Sequence, residues 1–129
     1  MIDPKNLRYS TTHEWVHLDG DVATIGISRF AVDQLTDLIM IDLPAVGSRI
    51  TAGKAFGEIE SVKAVSDLYA PIGGEVIEVN TEVKSDVQIM ADDPYTKGWL
   101  LKLRVNDGAS LAKLLDHASY EHQVSDQGH

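Results

Sequence analysis

The chain contains no cysteine, so disulfides, thiolate metal sites and any cysteine nucleophile or redox pair built from its own side chains are excluded. Basic residues are also scarce. Eleven lysines and arginines stand against twenty aspartates and glutamates, and the resulting net charge of -9 argues against non-specific attraction to nucleic acid or an anionic membrane. No stretch approaches the roughly 18 apolar residues that a membrane-spanning helix requires. The opening MIDPKNLRYSTTHEW has neither a basic-then-apolar leader pattern nor an arginine-rich transit pattern, so a cytoplasmic location is expected. There is no low-complexity linker and no sign of a second core. A hydrophobic content of 43% argues against wholesale disorder. At this length a single domain over 1–129 is expected, able to bury roughly two-thirds of its unfolded surface. Its core should span about 7–121, with a polar tail at 122–129.

What is present reads mostly as short strands separated by glycine, proline and acidic turns. Glu14 to Leu18 and Asp21 to Ile27 flank Asp19-Gly20, a pair suited to a tight type I′ hairpin, with Ile25 and Ile27 pointing inward. Ser28 is placed to cap a short helix, SRFAVDQL. The nearly continuous apolar run Leu38 to Leu43, stopped by Pro44, suits a strand buried on both faces. Ala55 to Glu60, Val65 to Tyr69, Glu75 to Val79 and Trp99 to Val105 read as further strands. Past Asp107-Gly108 the period changes. Leu111, Leu114, Leu115 and Ala118 recur at helical spacing behind Ser110, predicting a C-terminal amphipathic helix to about Tyr120.

Self-sufficient catalysis finds little support. His13 and His17 share a strand face, but at about 3.3 Å per residue their rings lie roughly 13 Å apart, too far to chelate one ion. His117, His122 and His129 lack metal-binding helical spacing. No nucleophile elbow surrounds a serine, and Gly73-Gly74 lacks the remaining glycines of a phosphate loop. The many carboxylates cannot be paired for acid–base work from sequence alone. By elimination, a self-sufficient enzyme is not expected.

One hairpin breaks its own turn rules. The strands Ala55 to Glu60 and Val65 to Tyr69 close around Val62-Lys63, where Asn-Gly or Asp-Gly would be usual. That register sets Glu58 opposite Asp67, two like charges that cost stability. Broken local rules at an exposed tip are where functional constraint tends to show, and a tip lysine is open to a modifying enzyme, although taken alone it reads more readily as one surface lysine among eleven basic residues.

The segment ESVKAVSDLYAPIGGEVIEVN, Glu60 to Asn80, closely resembles the lipoyl-attachment segment of the glycine cleavage system H-protein family. THEWV (Thr12 to Val16), ATIGIS (Ala23 to Ser28), DLPAVG (Asp42 to Gly47), ADDPY (Ala91 to Tyr95) and GWLLKL (Gly98 to Leu103) are similar to its other landmarks, in order, so the resemblance covers residues 7 to about 121. It implies a mostly β, lipoyl/biotinyl-type barrel-sandwich hybrid of two small antiparallel sheets, with short helices. It further implies lipoic acid amide-linked to Lys63, and a shuttle that takes an aminomethyl group from a pyridoxal-phosphate glycine decarboxylase to a tetrahydrofolate-dependent aminomethyltransferase. A flavin-dependent dihydrolipoamide dehydrogenase would then reoxidise the dithiol, and a lipoyl ligase or transferase would be the fourth partner. Thr12, Glu14 and Asp67 match the positions that hold the loaded arm's amine in a surface cleft, where carboxylates suit a cation.

Three positions depart from the family pattern. Thr36 stands where glycine is usual, and Val87 and Ala91 replace a proline and an asparagine. A biotin carrier would set its lysine between methionines, and an acyl carrier would be helical with a modified serine. An H-like lipoyl donor or relay, and a binding module that kept the fold without the modification, stay open. A monomer is expected, since a shuttle must present its tip to successive enzymes. The acidity then suits docking to several partners, with salt-sensitive binding.

Overall fold

The computed structural model describes residues 3–105 and 114–127. In chain order the strands are β1 (Arg8–Tyr9), β2 (Glu14–Asp19), β3 (Val22–Ile27), β4 (Leu38–Asp42), β5 (Arg49–Ile50), β6 (Ala55–Ser61), β7 (Val65–Tyr69), β8 (Gly74–Val79) and β9 (Leu101–Arg104). The helices are α1 (Arg29–Leu35), α2 (Thr81–Ser85), α3 (Gln88–Asp92) and α4 (His117–Gln127). The strands make two antiparallel sheets, one ordered β1-β2-β3-β9-β8-β5 and the other β4-β6-β7. The mostly β architecture is the one expected.

Strand alternation builds the main core. Val16 on β2, Ala23, Ile25 and Ile27 on β3, Leu101 and Leu103 on β9, and Val76 on β8 turn one face of the larger sheet inward. Ile41, Ile59 and Leu68 face them from the smaller sheet. The expected inward placement of Ile25 and Ile27 holds. So does the capping role of Ser28, whose Oγ accepts the Ala31 amide at 3.2 Å and starts α1.

Local details differ from the sequence reading in three places, each for a physical reason. Asp19 pairs with Val22, so the turn's central residues are Gly20 and Asp21, and only Gly20 has a positive φ, 63°. That is the sign pattern of a type II′ turn rather than type I′. The apolar run of β4 is not buried on both faces. It is an edge strand paired only to β6, with an irregularity between Leu38 and Met40, and Ile39 and Met40 are about half exposed, at 50% and 48%. Among the described residues the C-terminal helix runs from His117 to Gln127, through the stretch expected to be a polar tail. Leu115 cannot join it, because its amide and carbonyl are both bonded to the backbone of Tyr9, each at 2.8 Å. Ser110 and Leu111 lie outside the described residues.

A second, smaller apolar cluster of Leu7, Tyr9, Trp15 and Tyr120 lies apart from the main core and anchors α4. Trp15 is fully buried, and its Nε1 donates to the carbonyls of Ile27 at 3.0 Å and Pro94 at 3.1 Å. Its indole lies against the backbone of Gly26, the residue paired with it across β2 and β3, where any Cβ would overlap the ring. We expect Gly26→Ala to cost about 3 kcal/mol, the upper end for overpacking, read as a lowered urea midpoint at unchanged slope.

Candidate functional site

The β6–β7 hairpin carries Lys63 at its tip. Glu60 pairs with Val65, and the Ser61 amide donates to the Ala64 carbonyl at 2.8 Å, so Val62 and Lys63 are the two turn residues. Neither has a positive φ. The turn needs no glycine because Ser61 does what a primed turn would otherwise do. Its Oγ accepts the Ala64 amide at 3.2 Å, and the Val62 amide donates outward to the Asp37 carbonyl at 3.1 Å. Lys63 is exposed and makes no ion pair among the described residues. Val62 beside it is 72% exposed.

The Asp37 carbonyl that receives Val62 belongs to a strained corner. Thr36 caps the end of α1 at φ 50°, ψ 169°, and Asp37 follows at φ 26°. The Thr36 conformation lies close to a region populated almost only by glycine, at a cost of order 1–3 kcal/mol for other residues. This gives the departure at Thr36 a physical meaning. Thr36→Gly should stabilise the chain by about 1 kcal/mol through relief of that strain, raising the urea midpoint without changing its slope.

Below the tip, a cleft of about 360 Å³ opens between the β1–β2 turn, α1 and the hairpin. Thr12, Glu14 and Asp67 all line it, with His13, Phe30, Gln34 and Leu68. The structure thus gathers in one cleft the three positions that the family resemblance singled out, while Lys63 stands at the end of the hairpin whose β7 forms one wall. Glu14 is 2% exposed. Its Oε1 accepts from the Ser10 hydroxyl at 2.7 Å and from the Thr12 hydroxyl, and its Oε2 accepts the Tyr69 amide at 3.2 Å. Burial pushes its carboxyl above the ordinary value, and these three donors only partly oppose that. No lysine or arginine among the described residues pairs with it. The result is a carboxylate held and oriented by neutral donors, with its negative charge left for whatever enters the cleft.

Asp67 is different in kind. It is exposed and opposes Glu58 as the sequence register requires, and β4 adds Asp42 opposite Glu58, so three carboxylates form one row across the smaller sheet. Reading along the chain missed Ser10, His13, Phe30, Gln34 and Tyr69. Ser10 and Tyr69 are found only through Glu14, and His13 only through its left-handed backbone, φ 80°. Neither signal is visible before the chain folds. Val87 and Ala91 lie at α3, away from the lysine hairpin, and Ala91 instead supplies a carbonyl to Arg29 Nη1 at 2.5 Å.

Among the described residues no helix is long and apolar enough to cross a membrane, and no three histidine or carboxylate side chains are grouped to hold a metal ion. The family model described as Glycine cleavage H-protein matches residues 7–127. The chain is 48% identical over 125 residues to the glycine cleavage system H protein of Carboxydothermus hydrogenoformans, covering 97% of this chain and 96% of that one. It is 50% identical over 121 residues to that of Acaryochloris marina, covering 94% of each. A crystal structure of a glycine cleavage system H protein from Mycobacterium marinum superposes with a TM-score of 0.86 at 36% identity, over 98% of this chain and 100% of the other. Fold, length and sequence agree throughout, and the chain belongs to the glycine cleavage H-protein family.

Proposed function

We propose that Lys63 carries lipoic acid on its Nζ and that the whole chain, 1–129, works in the cytoplasm as a single monomeric carrier domain of the glycine cleavage system. In this reading it serves a pyridoxal-phosphate glycine decarboxylase, a tetrahydrofolate-dependent aminomethyltransferase and a dihydrolipoamide dehydrogenase in turn, after a lipoyl ligase or transferase has modified it. The single observation that carries the reading is the pairing of an exposed, unengaged lysine on a pinned turn with a cleft that holds a buried carboxylate.

The residues present fit the group. An exposed amine with no ion pair among the described residues is available to form an amide, and the cleft lining combines the apolar surfaces of Ile27, Phe30, Leu35 and Leu68 with the polar end at Glu14. That is the lining an aliphatic arm ending in a cation would require. When attached, lipoic acid supplies a dithiolane whose opening accepts the one-carbon amine taken from glycine.

The chain's own residues do the rest. Ser61 and Asp37 hold the turn so that Lys63 projects from a fixed base. Ser10, Thr12 and the Tyr69 amide orient Glu14 to receive an ammonium in a site shielded from water. Asp67 adds a second negative charge at the rim. The row Asp42, Glu58 and Asp67 leaves an acidic outer face beside the tip, suited to partners of opposite charge.

The test is intact-mass and peptide analysis after incubation with lipoate, ATP and a competent lipoyl ligase. One lipoyl group on the Lys63 peptide is the expected result. An unmodified Lys63 under those conditions would overturn the assignment, and a lipoylated chain that fails to support glycine decarboxylase exchange would overturn the shuttle role.

A further inference from the structure

The two walls of the cleft are joined through one hydroxyl on the C-terminal helix. Tyr120 of α4 is 2% exposed, and its Oη lies 2.6 Å from Ser28 Oγ and 2.7 Å from His13 Nδ1. Ser28 begins α1, which carries Phe30, Ala31, Gln34 and Leu35 of one wall. His13 sits between Thr12 and Glu14 of the other, in a left-handed conformation, with its ring 4.9 Å from that of Phe30. Ser28 Oγ also accepts the Ala31 amide, so Ser28, Tyr120 and His13 form one chain of side-chain hydrogen bonds. Burial pushes the Tyr120 phenol up, so the hydroxyl keeps the proton this chain of bonds requires. One turn further on, Gln123 Nε2 donates to the Thr11 carbonyl at 3.0 Å, so α4 grips the same β1–β2 turn twice.

We propose that Tyr120 is a positioning residue for the cleft, its hydroxyl setting the spacing and orientation of the Thr12–Glu14 turn against α1. It touches no reacting atom and acts through His13 and Ser28. A backbone bond from the Ser28 amide to the His13 carbonyl, 2.9 Å, also joins the walls, so loss of the hydroxyl loosens side chains without separating the elements. The proposal rests on the reading that this cleft shelters the loaded amine.

Tyr120→Phe keeps the ring and its parallel stack on Tyr9, at 4.3 Å between centroids, and removes only the two bonds. Tyr9→Phe is the matched control. It removes a hydroxyl from the same stack, one that donates to the Pro4 carbonyl at 2.6 Å and interacts with the Tyr95 hydroxyl rather than with Ser28 Oγ. In the unlipoylated chain, NMR spectra of Tyr120→Phe should shift the His13 ring nitrogens and the amides of 12–14 and 30–35, and those of Tyr9→Phe should not. In the loaded carrier, ammonia release should accelerate about 3- to 10-fold in Tyr120→Phe alone, the factor for one hydrogen bond's worth of orientation. Lipoyl attachment at Lys63 should be unchanged in both.

Equal behaviour of the two variants, in spectra and in ammonia release, would overturn the proposal and leave Tyr120 a packing residue. Glu14→Ala separates this from the underlying reading. If that variant accelerates ammonia release and Tyr120→Phe does not, the positioning role fails while the docking role stands. If neither does, the docking role itself has failed.

Discussion

Lys63→Arg should abolish lipoyl attachment completely while leaving the fold intact. Arginine keeps the length and charge of the side chain, but its guanidinium stays protonated under all working conditions and offers no nucleophilic amine for an amide bond. The site tolerates the exchange structurally. Lys63 is exposed, makes no ion pair among the described residues, and the turn is held by Ser61 and Asp37 rather than by the lysine. Stability should stay within about 0.5 kcal/mol of the parent, as for surface substitutions away from special features. Mass spectrometry after ligase treatment should show no gain in the variant and one lipoyl group in the parent. A mass gain in Lys63→Arg would relocate the attachment site.

Glu14→Ala carries the second large effect. Removing a charge-assisted contact of about 1.5–3 kcal/mol should speed loss of the amine from the loaded carrier about 10- to 100-fold. An unchanged rate of ammonia release would end the protective role. Because alanine leaves the Ser10 and Thr12 hydroxyls and the Tyr69 amide without their shared acceptor, Glu14→Gln is the companion variant. It keeps a carbonyl acceptor but cannot ionise. It also tests the buried charge directly. Burial raises the Glu14 pKa in the folded chain above the ordinary value near 4.5, so the folded state holds this proton more tightly than the unfolded state. The contribution to stability is therefore greatest below that value and falls as pH rises from there through the higher folded value. Urea midpoints measured across that window should decline with pH in the parent relative to Glu14→Gln. Parallel profiles would mean that Glu14 ionises without penalty.

What sequence reading caught and what it missed divide along a physical line. Strand alternation and capping are local, so the inward face of β3 and the Ser28 cap were legible. Lys63 was legible because the motif around it is contiguous, and Thr12, Glu14 and Asp67 followed only from resemblance to a family. Contacts that join distant segments left no local trace. Nothing in YEHQ announces that Tyr120 reaches Ser28, 92 residues away. The Leu111 to Ala118 spacing fits a helix as well as any other stretch of the chain, yet the backbone of Leu115 is bonded to Tyr9 instead. The apolar run of β4 misled for the opposite reason. Hydrophobicity reports what a residue tolerates, and edge position decided that Ile39 and Met40 would face water.

The pinned turn under Lys63 has a kinetic corollary. With the Ala64 amide tied to Ser61 and the Val62 amide tied to Asp37, the backbone on both sides of Lys63 contributes little to its wandering. A tethered group then explores only the volume swept by the side chain and its extension, about a point fixed relative to Glu14. For a lipoyl arm on Lys63, the local concentration of its end at the cleft would be set by tether length rather than by loop motion. In the proposed carrier, retraction into the cleft and presentation to a partner would be two positions of one lever on a fixed fulcrum, and lengthening the turn by a single glycine would dilute both at once.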